Sequence, residues 1–345
     1  MIHVVDYVNP AMRNVDHWRT MIPYMLMQRG YEVNVIRGTD SIPGDDSFGG
    51  ETLYKSDQYI NLYRSLIGGN VSPNDIVIFA DAWNPAALSF RAVCERMKLK
   101  VKMIGVWRGG LYDMYSPLWV AMWGKRKDWA MALERSLYNV YDCNCYLDES
   151  ARRRFVQKYS YRSVDKVRLT GFPYERVIDE YNAIGPIEKR NVIVVPHNAV
   201  TDEQRDIVRA IQSHLNMFEF INCQDDRLSR DEYYEVLSTA KVVLAVNLYE
   251  SDPVSVYEGM VFGCIPVVPD ISTYSSMFPE QYRYPAHYVQ PPFLNFVRGR
   301  AYMFSRIQSI IDSYEQMTEQ LSVDTLHMTR EYYSNESFIK LLGEL

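Results

Sequence analysis

Two glutamates separated by seven residues, Glu250 and Glu258, sit in the stretch ESDPVSVYEGMVFGCIPVVP, which runs from Glu250 to Pro269. A β-branched apolar run, Val242 to Val246, precedes the stretch and another, Ile265 to Val268, closes it. Both have the length of buried strands, and a short helix fits between them. Asp252 can cap that helix, and Pro253 suits its first turn, because proline's fixed φ matches the position and its missing N–H would lack a partner there anyway. One carboxylate then lies in the loop before the helix and the other on its second turn. The free amides and positive dipole end at a helix start attract an anion such as a diphosphate. Val254 and Ser255 carry the N–H groups that could face it, since Pro253 has none. Glu258 could accept hydrogen bonds from a ribose, and Glu250 from a sugar. Tyr257, Val261 and Phe262 surround Glu258 with apolar residues, so a solvated helix face explains the pair poorly: a partly buried carboxylate needs partners.

The elements that would position such a site repeat as strand and helix along the whole chain. Ile2 to Val5 reads as a first strand, the loop Asp6 to Asn14 leads into a helix carrying Trp18, Ile22, Met25 and Leu26, and Tyr31 to Ile36 is a second strand. This opening predicts a doubly wound sheet, whose ligands sit at the carboxyl ends of the strands. The loop after the first strand has no glycine-rich fingerprint, which points to an acceptor and not a dinucleotide. Residues 38–52 read as a loop and 55–67 as a helix. Strands Ile76 to Ala80 and Val101 to Val106 end in Asp81, Ala82, Trp83 and Asn84 and in the run from Trp107 to Asp113. Arg108 and Asp113 are therefore candidate catalytic residues, the alternative being that they pair with each other. Pro117 to Tyr141 reads as helical, Cys143 to Leu147 as a strand and Glu149 to Tyr159 as a helix. Between 151 and 170 seven basic residues, Arg152, Arg153, Arg154, Lys158, Arg162, Lys166 and Arg168, face one acid, Asp165. Such a run is usually a solvated face, and it is also where a polyanionic acceptor would dock.

The first domain is expected to span 1–178, with the polar segment 179–190 as linker, and the second 187–325. The second restarts with a strand, Asn191 to Val195, followed by Pro196, His197 and Asn198. A helix from Asp202 to Leu215, a strand from Phe218 to Asn222 and a helix over 231–240 lead into the Glu250 stretch. A short strand near Tyr288 and one helix over about 293–320 follow, then an amphipathic tail, 326–345.

With 345 residues, 47% hydrophobic and 23% charged, the chain is long enough for two α/β domains, each with a core. No apolar run approaches the ~20 residues of a membrane helix, and MIHVVDYVNP lacks the basic and apolar regions of a signal peptide, so a cytoplasmic location is expected. Cys94, Cys143, Cys145, Cys223 and Cys264 are odd in number and form no metal-binding set; buried thiols are expected. The net charge of −6 argues against indiscriminate nucleic-acid binding, which relies on phosphate neutralisation. Asp225–Asp226 is adjacent and not spaced as an Asp-x-Asp pair, so no metal and no separate cofactor are expected.

The Glu250–Glu258 spacing and its setting resemble the Glu-seven-Glu motif of retaining, nucleotide-sugar-dependent glycosyltransferases of the GT-B fold. Further stretches, FADAWNP (79–85), GVWRGGLYD (105–113), TGFP (170–173) and VVPHN (194–198), look like a bacterial and bacteriophage subgroup. The resemblance implies two Rossmann-like domains facing each other across a cleft, an N-terminal acceptor domain, a C-terminal nucleotide-sugar domain, and a last helix packing back toward the first. It places the transferred sugar on Glu250, the donor ribose on Glu258, and the phosphates near Asp252, Val254 and Ser255. Arg108 stands where that subgroup carries a His, and the residues after Pro196 lack the Glu-Lys pair that often contacts the diphosphate. His197 and Asn198, Arg227 and Arg230 are left as candidate donor contacts. The acceptor hydroxyl is expected on a hydroxymethylated base of phage DNA, docked on the basic run 152–168 and modified in the host cytoplasm, or on a cell-surface glycan. A non-catalytic sugar-nucleotide binding protein and a sugar-phosphate isomerase or epimerase are the competing classes.

Overall fold

The structure, a computed structural model, describes residues 1–7, 15–39, 48–116, 118–119, 122, 128–159, 165–196, 202–223 and 228–345. The chain divides into two units, one made of Met1–Tyr174 with Tyr332–Leu345 and one of Glu175–Glu331.

In the first unit β1 (Ile2–Val5), β2 (Val33–Ile36), β3 (Ile76–Phe79), β4 (Lys102–Trp107), β5 (Cys143–Tyr146) and β6 (Val167–Leu169) form one parallel sheet in the order β2-β1-β3-β4-β5-β6. The central strands are apolar almost throughout, as parallel strands covered on both faces must be. The helix Phe48–Ile67 starts inside the segment expected as a loop. Its stripe of Tyr54, Gln58, Leu62 and Leu66, each four residues after the last, is buried along one side, and that spacing extends the helix past the composition that suggested a loop. Residues 40–47 of that loop lie outside the described residues, as does most of the segment 117–127; beyond it the helix is Asp128–Val140. The tail enters this unit as the helix Glu336–Glu344, with Phe338, Leu341 and Leu342 buried. The amides of Phe172 and Tyr174 donate to the carbonyls of Tyr332 (2.6 Å) and Tyr333 (2.9 Å). Gly171 makes this possible: its φ is +63°, and a Cβ there would lie 2.5 Å from the Tyr332 carbonyl oxygen.

In the second unit β7 (Arg190–Val195), β8 (Glu219–Asn222), β9 (Ala240–Leu244), β10 (Ile265–Pro269) and β11 (Arg283–Tyr284) form a second parallel sheet in the order β11-β10-β9-β7-β8. The first half of the segment 179–190, expected as a linker, lies in the helix Arg176–Ile184. Val177 is buried and the Tyr181 ring lies 5.6 Å from that of Phe262, so packing of an apolar edge overrides the polar composition. The strand expected near Tyr288 is a 3-10 turn, Ala286–Tyr288, and β11 precedes it. The helix expected over 293–320 is two, Leu294–Asp312 and Tyr314–Met328, divided at Ser313. All five cysteines are buried. Among the described residues no helix is long and apolar enough to cross a membrane.

Candidate active site

In the second sheet the chain passes from β7 to β8 on one side and then to β9 on the other, so the switch point lies between the carboxyl ends of β7 and β9. That is where an open parallel sheet holds its ligand. β9 runs directly into the Glu250 segment. Asn247, buried at the start of this loop, accepts from the Tyr249 amide (2.9 Å) and donates to the Tyr249 carbonyl (3.2 Å). The loop is thereby braced just before Glu250, whose Oε1 accepts from the Asp252 amide at 3.1 Å. Burial, then the nearby charge of Glu250, raises the Tyr274 hydroxyl well above its ordinary value.

The helix following the loop is Val254–Val261, with Pro253 at its cap position and no side-chain cap. The cap expected of Asp252 is not made by its carboxyl; Asp252 contributes its carbonyl, which takes the Val254 amide at 2.8 Å. Val254 therefore has no N–H left for a phosphate, whereas the Ser255 amide meets no acceptor among the described residues. The helix lies directly on the sheet, because a Cβ on Gly259 would be 2.7 Å from the Val243 side chain.

That close approach puts Glu258 inside, at 7% exposure. Its Oε1 accepts from the Tyr234 hydroxyl (3.0 Å) and its Oε2 from the Tyr233 hydroxyl (3.2 Å). Both tyrosines come from the helix Arg230–Thr239, started by a capping box between Ser229 and Glu232. Arg230 donates to the Tyr234 hydroxyl at 3.0 Å, so the relay runs from guanidinium to phenol to carboxylate. Burial pushes the Glu258 carboxyl up to about 7, against the pull of Arg230 and the two hydroxyls and with the help of nearby Asp252. Arg230, a candidate for the diphosphate, is thus turned toward Tyr234 and, at 3.5 Å, Glu180. His197, Asn198 and Arg227 lie outside the described residues. Among the described residues no group of His, Cys, Asp and Glu side chains is placed to hold a metal.

Arg108 and Asp113 belong to the first unit, in the loop after β4. They do not pair. Asp113 is fully buried, 3.1 Å from Arg154 Nη2, and accepts from the Tyr115 amide at 3.0 Å; burial raises its carboxyl and Arg154 opposes the rise. Arg108 lies half-buried with its guanidinium 4.3 Å from the Tyr7 ring centre and 5.0 Å from that of Phe172.

No profile of a known family matches the chain, and no curated protein matches its sequence. Solved structures do. Sucrose-phosphate synthase from Thermosynechococcus elongatus superposes with a TM-score of 0.62 at 13% identity, over 99% of this chain and 97% of that one. The catalytic domain of starch synthase IV from Arabidopsis thaliana, bound to ADP and acarbose, gives 0.56 at 8% identity over 96% and 98%. A TarM variant from S. aureus, in complex with UDP, fondaparinux and alpha-GlcNAc-glycerol, gives 0.57 at 13% identity; it covers 83% of this chain, which spans 58% of the length of TarM. The fold is GT-B.

In this GT-B chain the residues nearest Glu258 were not among those singled out from the sequence. Tyr233 and Tyr234 are 25 and 24 residues from Glu258, and an adjacent Tyr pair on a helix carries no motif of its own. Asp6 opens the loop that the sequence places at the ligand edge of the first sheet. It is buried, and it binds Arg19 Nε (3.1 Å), the Tyr54 hydroxyl (2.9 Å) and Gln58 Nε2 (2.5 Å). Glu134 was read only as part of a helix; it accepts from the Trp83 indole (2.6 Å), the Leu111 amide (2.6 Å) and the Tyr159 hydroxyl (2.6 Å). The available signal for Asp6 is position: it directly follows β1 (Ile2–Val5) at the carboxyl edge of the sheet.

Proposed function

We propose that the chain is a retaining glycosyltransferase, moving a sugar from a nucleoside diphosphate sugar to an acceptor hydroxyl. The observation that carries this reading is Glu258: a buried carboxylate on the helix that follows β9, held by two tyrosine hydroxyls in a GT-B chain. Folding gains nothing from burying such a group, whose partners only partly offset its desolvation. A ligand with vicinal hydroxyls, such as a ribose, gives that carboxylate a use. Glu250, half-buried in the loop before the helix, takes the role of sugar contact. The Ser255 amide supplies a fixed dipole for charge developing on the departing phosphate oxygen. The bond from the sugar's anomeric carbon to that oxygen breaks, the acceptor oxygen bonds to the same face, and the acceptor proton passes to the phosphate. Asp252 and the unassigned His197, Asn198 and Arg227 complete the set of proposed donor contacts, with no metal and no separate cofactor.

A hydroxymethylated base on duplex DNA would dock on the run 152–168. Most of the described cations there have partners within the chain: Arg152 with Glu149 (2.6 Å), Arg154 with Asp113, Lys158 over the Trp119 ring, Lys166 on the carbonyls of Asn139 and Tyr141, and Arg168 on those of Asp165 and Val167. Exposed Arg153 is the exception. The DNA acceptor therefore draws no support from the structure.

The test is turnover. Purified protein is incubated with a panel of nucleoside diphosphate sugars and the release of nucleoside diphosphate is followed. Release by the wild type and its loss in Glu258→Ala support the transferase; binding with no release at all favours a non-catalytic binding protein, and rearrangement of the donor without an acceptor favours an isomerase or epimerase.

A further inference from the structure

The helix Phe48–Ile67 carries two apolar rows. Tyr54, Leu62 and Leu66 form one and are buried in the first unit. Leu53, Ile60, Tyr63 and Ile67 form the other, at spacings of seven, three and four, and stay 66%, 44%, 37% and 64% exposed. With 3.6 residues per turn, these four fall within about 80° of one another, on the side away from the buried row. Apolar residues scattered singly over a surface need no explanation. A helix that faces solvent is ordinarily polar on its outer side, however, and an apolar row with heptad spacing is the pattern that packs against a second helix.

The charges beside the exposed row say which helix that is. The described charged side chains of this helix are Lys55, Asp57 and Arg64. Lys55 is bound to Asp81 (2.6 Å) and the Trp83 carbonyl (3.0 Å). Arg37, whose carbonyl takes the Asn61 side-chain amide, turns its guanidinium toward Asp6. Asp57 and Arg64 lie on the same flank of the row, seven residues apart. Asp57 accepts from the Thr39 amide at 3.3 Å and Arg64 donates to Asn61 Oδ1 at 3.4 Å, and among the described residues neither stands in an ion pair. When two copies of the helix lie antiparallel about a two-fold axis at Ile60, like flanks meet. Asp57 of each copy then comes opposite Arg64 of the other, Leu53 comes opposite Ile67, and the two Ile60 side chains meet at the axis. Row and charges are thus complementary to themselves, which is what a contact between identical copies requires. From Leu53 to Ile67 the row spans about 21 Å at 1.5 Å per residue. One such helix pair sits at the low end of specific interfaces, below about 1,200 Å² in total, so the dimer should form and dissociate with concentration.

We infer that the chain forms a weak homodimer through this row, the helix Phe48–Ile67 of each copy packing antiparallel against that of the other. Sedimentation velocity on the full chain across micromolar concentrations tests it, and the mass should rise from one chain toward two. Ile60→Glu sets two carboxylates at the axis and should leave a single chain at every concentration. Asp57→Arg and Arg64→Asp each place like charges opposite one another, and each should weaken self-association about tenfold. Mixed together, these two charge variants should pair at about the wild-type affinity, because every Asp–Arg contact is then restored. Melts followed by far-UV circular dichroism should match the wild type in all three variants, since the altered side chains face outward in the single chain. The inference is overturned by a wild type that stays a single chain throughout, by association that Ile60→Glu leaves unchanged, or by charge variants that fail to pair when mixed. A single-chain wild type together with an early melt of Ile60→Glu would show instead that the row is covered from within its own chain.

Discussion

Replacing Glu258 by Gln should make the protein more stable at pH 8 than the wild type and nearly equal to it at pH 5. The wild-type carboxyl titrates at about 7 in the folded chain and at 4.5 when exposed. Between those values the native state holds a proton that the unfolded state has released, so stability falls as pH rises. The contribution is complete below pH 4.5 and is lost once pH passes 7. The whole loss is about 3 kcal/mol, and about 2.5 kcal/mol of it falls between pH 5 and pH 8. An amide at this position keeps the shape, can still accept from Tyr234, and never ionises. The gap between variant and wild type should therefore widen by about 2.5 kcal/mol over that range, or about 1 M in the urea midpoint for an ordinary m-value. Far-UV circular dichroism reads it. Tryptophan emission serves as the internal control, because all six tryptophans precede residue 130 and report the first unit alone. A gap that stays constant or narrows from pH 5 to pH 8 refutes the reasoning that burial of an ionised carboxylate dominates at Glu258.

Other substitutions separate the roles of neighbouring groups. Tyr234→Phe removes a charge-assisted hydrogen bond of about 1.5–3 kcal/mol from the ionised form, so the carboxyl should rise further and the pH above which nucleoside diphosphate binding holds should move up, as isothermal titration across pH 6 to 9 would show. Asp113→Ala strands Arg154 and should destabilise the first unit by about 3–5 kcal/mol, seen in tryptophan-detected melts, with nucleoside diphosphate affinity unchanged; weakened affinity would point to contact with the donor. Lys189 buries its ammonium on the carbonyls of Leu237 (2.9 Å) and Phe262, at the ends of two helices of the site. Lys189→Met leaves both carbonyls without that donor and should cost about 2 kcal/mol in urea denaturation. Sugar transfer should persist in excess chelator, and its loss there would speak for a metal.

The parallel sheets were legible because buried parallel strands need continuous β-branched runs, and Ile76 to Phe79, Asn191 to Val195 and Ile265 to Val268 carry them. The Glu250 to Pro269 stretch was legible for the same reason, its helix being bounded by two such strands. What escaped depends on partners distant in sequence. Arg154 read as one of three adjacent arginines on a basic face, yet it turns inward to Asp113, 41 positions earlier by residue number. Residues 179–184 of the helix Arg176–Ile184 read as part of a linker because the helix has a narrow apolar edge that shows its use only where Tyr181 meets Phe262. The cap expected of Asp252 failed because Pro253 takes the cap position itself, and local propensity could not tell these two neighbours apart.

The central claim is that the second unit binds a nucleoside diphosphate sugar through Glu258. Isothermal titration of a panel of such donors into wild type and Glu258→Ala tests it most directly. The account predicts saturable binding of at least one donor, weakened in the variant by about 1.5–3 kcal/mol as charge-assisted bonds to the ribose are lost. Equal affinity in the two proteins, or no binding of any donor, would contradict it.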